Sequence, residues 1–358
     1  MSSVDVVIAV HTTTRPLARA VASVVHGNAA RTRLIVVCHD IGVDTVAATV
    51  PAQSRRHVTW LEHHDGLASA SGPFNAGMRA ASGDFVSLLG SDDWLEPGAV
   101  DSWLELAAAT GADCVMTRLS LGAPSRRVPT PPVRPWLLRS RLADPVRDRL
   151  SYRSAPLGLV ATAARDRLGL ELTEGMPVGG DVAYVTRLWC ETRVAVDRRG
   201  VGYVIGEHAP DRVTYEQRPI ESELAFVRDL LSRPWFTAYP QALRRAVATK
   251  LLRIHLFGAV ARRSDPAWWS TPEREALASV TANVQRAAHD VASPLSRADH
   301  ALVAAMLDPG CPADVLIGRA QARRRHGHLN TLAPAHPERI ADREAPLRFM
   351  AASWWATR

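Results

Sequence analysis

Two neighbouring carboxylates, Asp92 and Asp93, follow the apolar run Phe85–Leu89 with only Gly90 and Ser91 between. Such a run reads as a buried strand. Adjacent acids at its end repel each other unless a cation stands between or in front of them, and a divalent metal holding a diphosphate meets that need. The plainer use of the same residues is a capped turn, because Ser and Asp favour turns and N-caps and Pro97 suits the first turn of a helix. A second acid, Asp181, follows Gly179 and Gly180 and opens a predicted helix. The glycines let the backbone approach a ligand closely, and an acid at a helix N-terminus lies in a favourable field. Here too an N-cap is the plainer use.

These acids need a scaffold, and the pattern around them supplies one. Val4 to Val10 reads as a strand covered on both faces. Leu17, Val21, Val24 and Val25 recur at helical spacing before Gly27. Strands are expected at Leu34–Cys38, Val58–Leu61, Phe85–Leu89 and Cys114–Thr117, with helices over 44–50, 71–82 and 97–110. Residues 123–135 carry five prolines and read as a loop or lid. Residues 136–150 read as an arginine-rich helix, Gly158–Thr162 as a strand and Val201–Ile205 as the last strand. The alternation predicts an open, mostly parallel α/β sheet. Ligands of such sheets bind beyond the carboxyl ends of the strands, where His11, Asp40, Asp65 and Asp92 all fall.

From about Pro219 the character changes to helix after helix: 219–232, 240–263, 271–290, 298–307 and 312–325. The expected division is therefore 1–218 for the sheet domain and 219–358 for a helical C-terminal region. Leu251, Ile254, His255 and Gly258 read as a core stripe, with His255 a satisfied core histidine.

The chain has 358 residues, 47% apolar and 22% charged, with a net charge of +7 carried by arginine; Lys250 is the only lysine. This is a globular composition whose basic balance suits anionic ligands. Arginine is scattered without interleaved aromatics, which argues against nucleic acid. No apolar run reaches a membrane span and no leader pattern opens the chain, so a cytoplasmic protein with at most peripheral membrane contact is expected. Cys38, Cys114, Cys190 and Cys311 are too scattered for a zinc site or a disulfide frame.

The block Asn75-Ala76-Gly77, Ala81-Ser82-Gly83-Asp84 and Ser91-Asp92-Asp93-Trp94-Leu95-Glu96-Pro97 closely resembles glycosyltransferase family 2. The likeness extends more weakly over about residues 4–215. It implies a GT-A-like (Rossmann-like) fold and an inverting, metal-dependent transfer of sugar from a nucleotide-diphosphate donor, a UDP-sugar first. The acceptor would be a hydroxyl of a glycan, cell-envelope polymer or small molecule. The resemblance puts Asp92 and His208 on Mn2+ or Mg2+, and Asp181 on the acceptor proton. It places Val10, His11, Thr12, Arg15, Asp40, Asp65, Asn75, Ser91 and Asp93 around the donor. The family's first motif Asp falls on Gly90, its Arg before Asn75 falls on Phe74, and its Glu before the base falls on Gly180. Those departures keep a second reading open: a glycosyltransferase-like subunit that binds sugar nucleotide or glycan without turnover. A nucleotidyltransferase ranks below both, because no glycine-rich phosphate loop follows the first strand. The repeated leucine and aromatic positions of 219–358 also predict packing on the sheet domain and a homo-oligomer contact or acceptor site.

Overall fold

The structure is a computed structural model that describes residues 2–122, 124–135, 141–207 and 217–357. Eleven strands are found among them: β1 (Val4–Val10), β2 (Thr32–His39), β3 (Val58–His63), β4 (Phe85–Gly90), β5 (Trp94–Leu95), β6 (Cys114–Met116), β7 (Leu119–Leu121), β8 (Arg126–Arg127), β9 (Gly158–Ala161), β10 (Val194–Val196) and β11 (Tyr203–Ile205). Seven form one sheet in the order β10-β6-β9-β4-β1-β2-β3. Only β9 runs antiparallel to its neighbours. A smaller sheet, β5-β11-β7-β8, lies at its edge.

The central strand shows why the sheet is buried on both sides. Side chains alternate across a strand. Val4, Val6, Ile8 and Val10 pack with Leu17, Val21, Val24, Trp103 and Leu104 from the helices Leu17–Val25 and Ala99–Thr110. Val7 points the other way, with Val37, Leu88, Met78 and Leu188, against the helices Ser71–Ala80 and Val182–Glu191. Because β1 pairs in parallel with both β2 and β4, with Val10 opposite Cys38 and Ala9 opposite Gly90, three strands end together.

The helical region begins at Ile220 and packs on the sheet domain through one shared core. Val182 and Ala183 join Phe226, Val227, Leu251, Leu252, Leu256 and Phe257 in it. A polar clamp adds to this: Glu344 takes hydrogen bonds from Arg149, Tyr152 and Arg253.

Three expectations are corrected here. Residues 141–149 form turns rather than a helix, and 136–140 lie outside the described residues. Pro145 removes a donor, while the Asp144 carboxylate takes the amides of Val146 and Arg147 into a local turn. Within 123–135, Arg126 and Arg127 pair as a short strand with β7. The stripe through Ile254 fails because Leu251–Leu256 is a π-helical turn. The extra residue per turn slips the periodicity, burying Leu252 and Phe257 and leaving Ile254 45% exposed.

Candidate active site

A cleft of about 520 Å³ opens where the three strands end. Val10, His11 and Arg15 line it after β1, His39 and Asp40 after β2, and Gly90, Ser91 and Asp92 after β4. Phe74 and Pro177 also line it. Six of the residues expected around a donor and metal are thus together: Val10, His11, Arg15, Asp40, Ser91 and Asp92.

The loop after β4 is fixed by arginines. Arg15 Nη1 lies 3.1 Å from Asp92 Oδ2. Arg19 donates to the Asp92 carbonyl at 2.6 Å while its guanidinium covers the Trp94 ring at 4.0 Å. Asp93 turns back on the strand end: the Tyr203 hydroxyl donates to it, Gly206 N donates to Oδ1 at 2.8 Å, and Gly90 N donates to the same tyrosine hydroxyl at 2.9 Å. A Cβ at Gly90 would stand 2.4 Å from Asp93 Oδ2. The carboxylate of residue 93 therefore occupies the space of a side chain at 90, which accounts for glycine there. Asp93 is neither a cap of the following helix nor a lining residue of the cleft; it ties β11 to β4. The same tie brings the end of β11 against the Asp92 loop. His208 follows, outside the described residues.

Behind the β2 end, Asp65 is held by His39 Nε2 at 2.7 Å, His63 Nε2 at 3.0 Å and the Leu67 amide at 2.9 Å. Burial opposes its ionisation, but these bonds outweigh burial and hold the carboxyl at about 2. Asp40 has a left-handed backbone, φ 54°, and accepts from Gly66 N at 3.2 Å. Ligand atoms of His39, Asp40 and Asp65 lie within 4.8 Å of one another, but Asp65 already spends its oxygens on two imidazoles and an amide. Thr12 is not among the residues lining the cleft; its hydroxyl lies 3.1 Å from that of Thr14.

Asn75 is placed differently from the expectation of a donor contact. It is buried, and its amide is fully engaged: it donates to Leu172 O and Glu174 Oε1 and accepts from Leu172 N. It staples the segment 172–174 to the helix Ser71–Ala80. Arg79 is also away from the cleft, paired with Glu171 at 2.7 Å.

That stapled segment leads to Asp181. Thr173 N donates to Gly180 O at 2.8 Å, which closes the loop 173–180. Asp181 stands at the N-terminus of Val182–Glu191, yet its side chain makes no capping hydrogen bond. Burial pushes its carboxyl up to about 6, against the opposing charge of Lys250. An acid that does not cap, titrates near neutrality and follows a cleft-lining loop has the properties of a general base.

Residues 5–160 match the family model described as glycosyl transferase family 2. Over these residues the chain is similar to glycosyl transferase family 2. This glycosyltransferase also shares its fold with solved structures. Staphylococcus aureus TarS 1-349 in complex with UDP-GlcNAc superposes with a TM-score of 0.72 at 11% identity, covering 90% of this chain and 92% of that one. TarS 1-349 alone gives 0.67 at 14% identity, covering 91% and 92%. The longer TarS structure gives 0.65 at 12% identity, with 91% of this chain and 56% of that one covered. These similarities show the GT-A fold, with a helical region after the sheet domain. A comparison of the sequence with curated proteins gives no match. Among the described residues no helix is long and apolar enough to cross a membrane.

Proposed function

We propose that this nucleotide-sugar glycosyltransferase works by inversion with metal assistance, and that Asp181 is its base. The observation that carries the reading is Asp181 itself, uncapped and raised to about 6. At neutral pH it is largely ionised and still basic enough to take a hydroxyl proton. As that proton leaves, the acceptor oxygen attacks the anomeric carbon and the nucleoside diphosphate departs on the opposite face. His11 and Asp40 are positioned for the nucleoside, His11 by stacking on the base and Asp40 by accepting from its edge. The UDP-GlcNAc of the TarS complex supports a UDP-sugar as the donor to try first.

The metal reading passes a chemical test. Asp92 offers hard oxygen donors on the cleft wall, and Mg2+ or Mn2+ needs only one or two carboxylates when substrate phosphates and water complete its shell. Asp92, with His208, would hold the ion, which when bound would neutralise the departing diphosphate. Arg15 beside Asp92 adds fixed positive charge at the same place. Residues 1–218 would then bind the donor, and 219–358 would back the base side.

Asp181→Asn tests the base. It should retain donor affinity and the folded state while losing about 10²–10⁴ in turnover, the usual size of a general-base contribution. Turnover within a few-fold of the parent at saturating substrates would remove Asp181 from the mechanism. The second reading, binding without turnover, draws on Gly90, whose side-chain space is filled by Asp93.

A further inference from the structure

Lys250 is the only lysine in a chain whose Lys and Arg total 43. Arginine stays charged in any setting, whereas a buried lysine shifts readily toward neutrality, so the exception is chemically meaningful. Lys250 is 2% exposed. Its Nζ lies 2.8 Å from Nε2 of His255, five residues on. That spacing faces inward because the π-helical turn Leu251–Leu256 starts at the next residue. The His255 ring meets Phe226 edge-on at 4.8 Å. Phe226 in turn lies over Gly179, where φ is 74° and a Cβ would stand 2.4 Å from the ring. Gly179 is two residues from Asp181. Val182 and Ala183 pack in the same core as Ala248, Leu251 and Leu252. The helical region therefore sets Phe226 against the loop before Asp181, with His255 and the Lys250 amine stacked behind that ring.

We infer that Lys250 is a positioning residue for sugar transfer: its ammonium, donating to a neutral His255, is held where its charge favours the Asp181 carboxylate. The inference rests on Asp181 as the base. The groups that face this amine are Asp181 and His255, with Arg262 bearing on His255. Burial draws Lys250 down to about 8, opposed by Asp181. Burial, with Lys250 and Arg262, drives His255 well below its ordinary value, so it accepts and does not donate to the amine. Between about pH 6 and pH 8 the acid and the amine are both charged, and each charge favours the other. Removing the ammonium leaves burial opposed only by a backbone hydrogen bond and raises Asp181. Removing the carboxylate lowers Lys250.

A single lysine makes the coupling directly readable. The full chain labelled with [ε-13C]lysine gives one lysine signal, expected to titrate near pH 8 in the parent and clearly lower in Asp181→Asn. In Lys250→Met, the acid limb of turnover against pH should move up by about one unit, tenfold at a fixed acidic pH, and activity should recover on the alkaline side. Lys250→Arg, which restores the charge, should return the limb toward the parent's. A lysine signal that titrates identically in parent and Asp181→Asn would overturn the inference, and this measurement decides even if Lys250→Met does not fold. A signal that moves while the pH profile of Lys250→Met stays in place would instead remove Asp181 as the base, and with it the catalytic part of Lys250.

Discussion

The strand-end cleft and the segment that leads to Asp181, the donor wall and the base wall of the proposed site, are built on opposite plans. The donor wall consists of strand ends: His11, Asp40 and Asp92 follow three adjacent parallel strands whose register fixes where each side chain emerges. Its acids are held by nearby side chains, Asp92 by the Arg15 guanidinium and Asp65 by two imidazoles. The base wall has no strand. Asp181 is reached through a loop stapled by Asn75 and Thr173, and it is backed by a lysine from the helical region. An acid at a strand end could hold the divalent cation that a diphosphate needs as its counter-charge. A half-buried acid with an amine in the core behind it is raised to about 6, which suits the proposed proton transfer. On the proposed mechanism, the sheet supplies charge and the helical region tunes basicity.

The comparison can be broken from either side. The larger effect is expected on the donor wall. Asp92→Asn should abolish the metal-dependent part of donor affinity, because the ion loses its charged oxygen on the strand end, while circular dichroism and thermal unfolding show a folded chain. Unchanged donor affinity with and without Mn2+ in a calorimetric titration would take the metal away from Asp92. The smaller effect is expected on the base wall. Asn75→Ala frees Leu172 and Glu174 from their staple. It should cost about 1–3 kcal/mol in thermal unfolding and lower turnover more than donor affinity. A loss confined to donor affinity would mean that Asn75 serves the donor wall after all.

The donor wall was legible in the sequence because it is local. An apolar run ending in Ser91-Asp92, and a first strand ending at His11, place their residues by strand period alone, and the parallel topology does the rest. The base wall was legible only in part. Asp181 stands out as an acid after two glycines, but its partners are remote: Asn75 bonds a residue 97 positions away, and Lys250 lies on another region of the chain. No period encodes such pairings. Asp93 was misplaced for a related reason, since its partners Tyr203 and Gly206 arrive from the last strand. The exposed Ile254 shows how one π-helical turn defeats a 3.6-residue count. The sole lysine was visible from the start, and its rarity was the one signal that could have pointed to it.

The central claim is turnover of a nucleotide-diphosphate sugar at this cleft. The measurement that meets it most directly is release of nucleoside diphosphate from a panel of sugar nucleotides, with and without Mn2+, using the full chain. The account predicts release from one donor, UDP-sugars foremost, that depends on the divalent ion and rises with pH through about 6, as Asp181 ionises. Tight binding of a donor with no diphosphate released at any pH, in the presence of metal and a broad set of hydroxyl acceptors, would contradict it and leave a binding subunit.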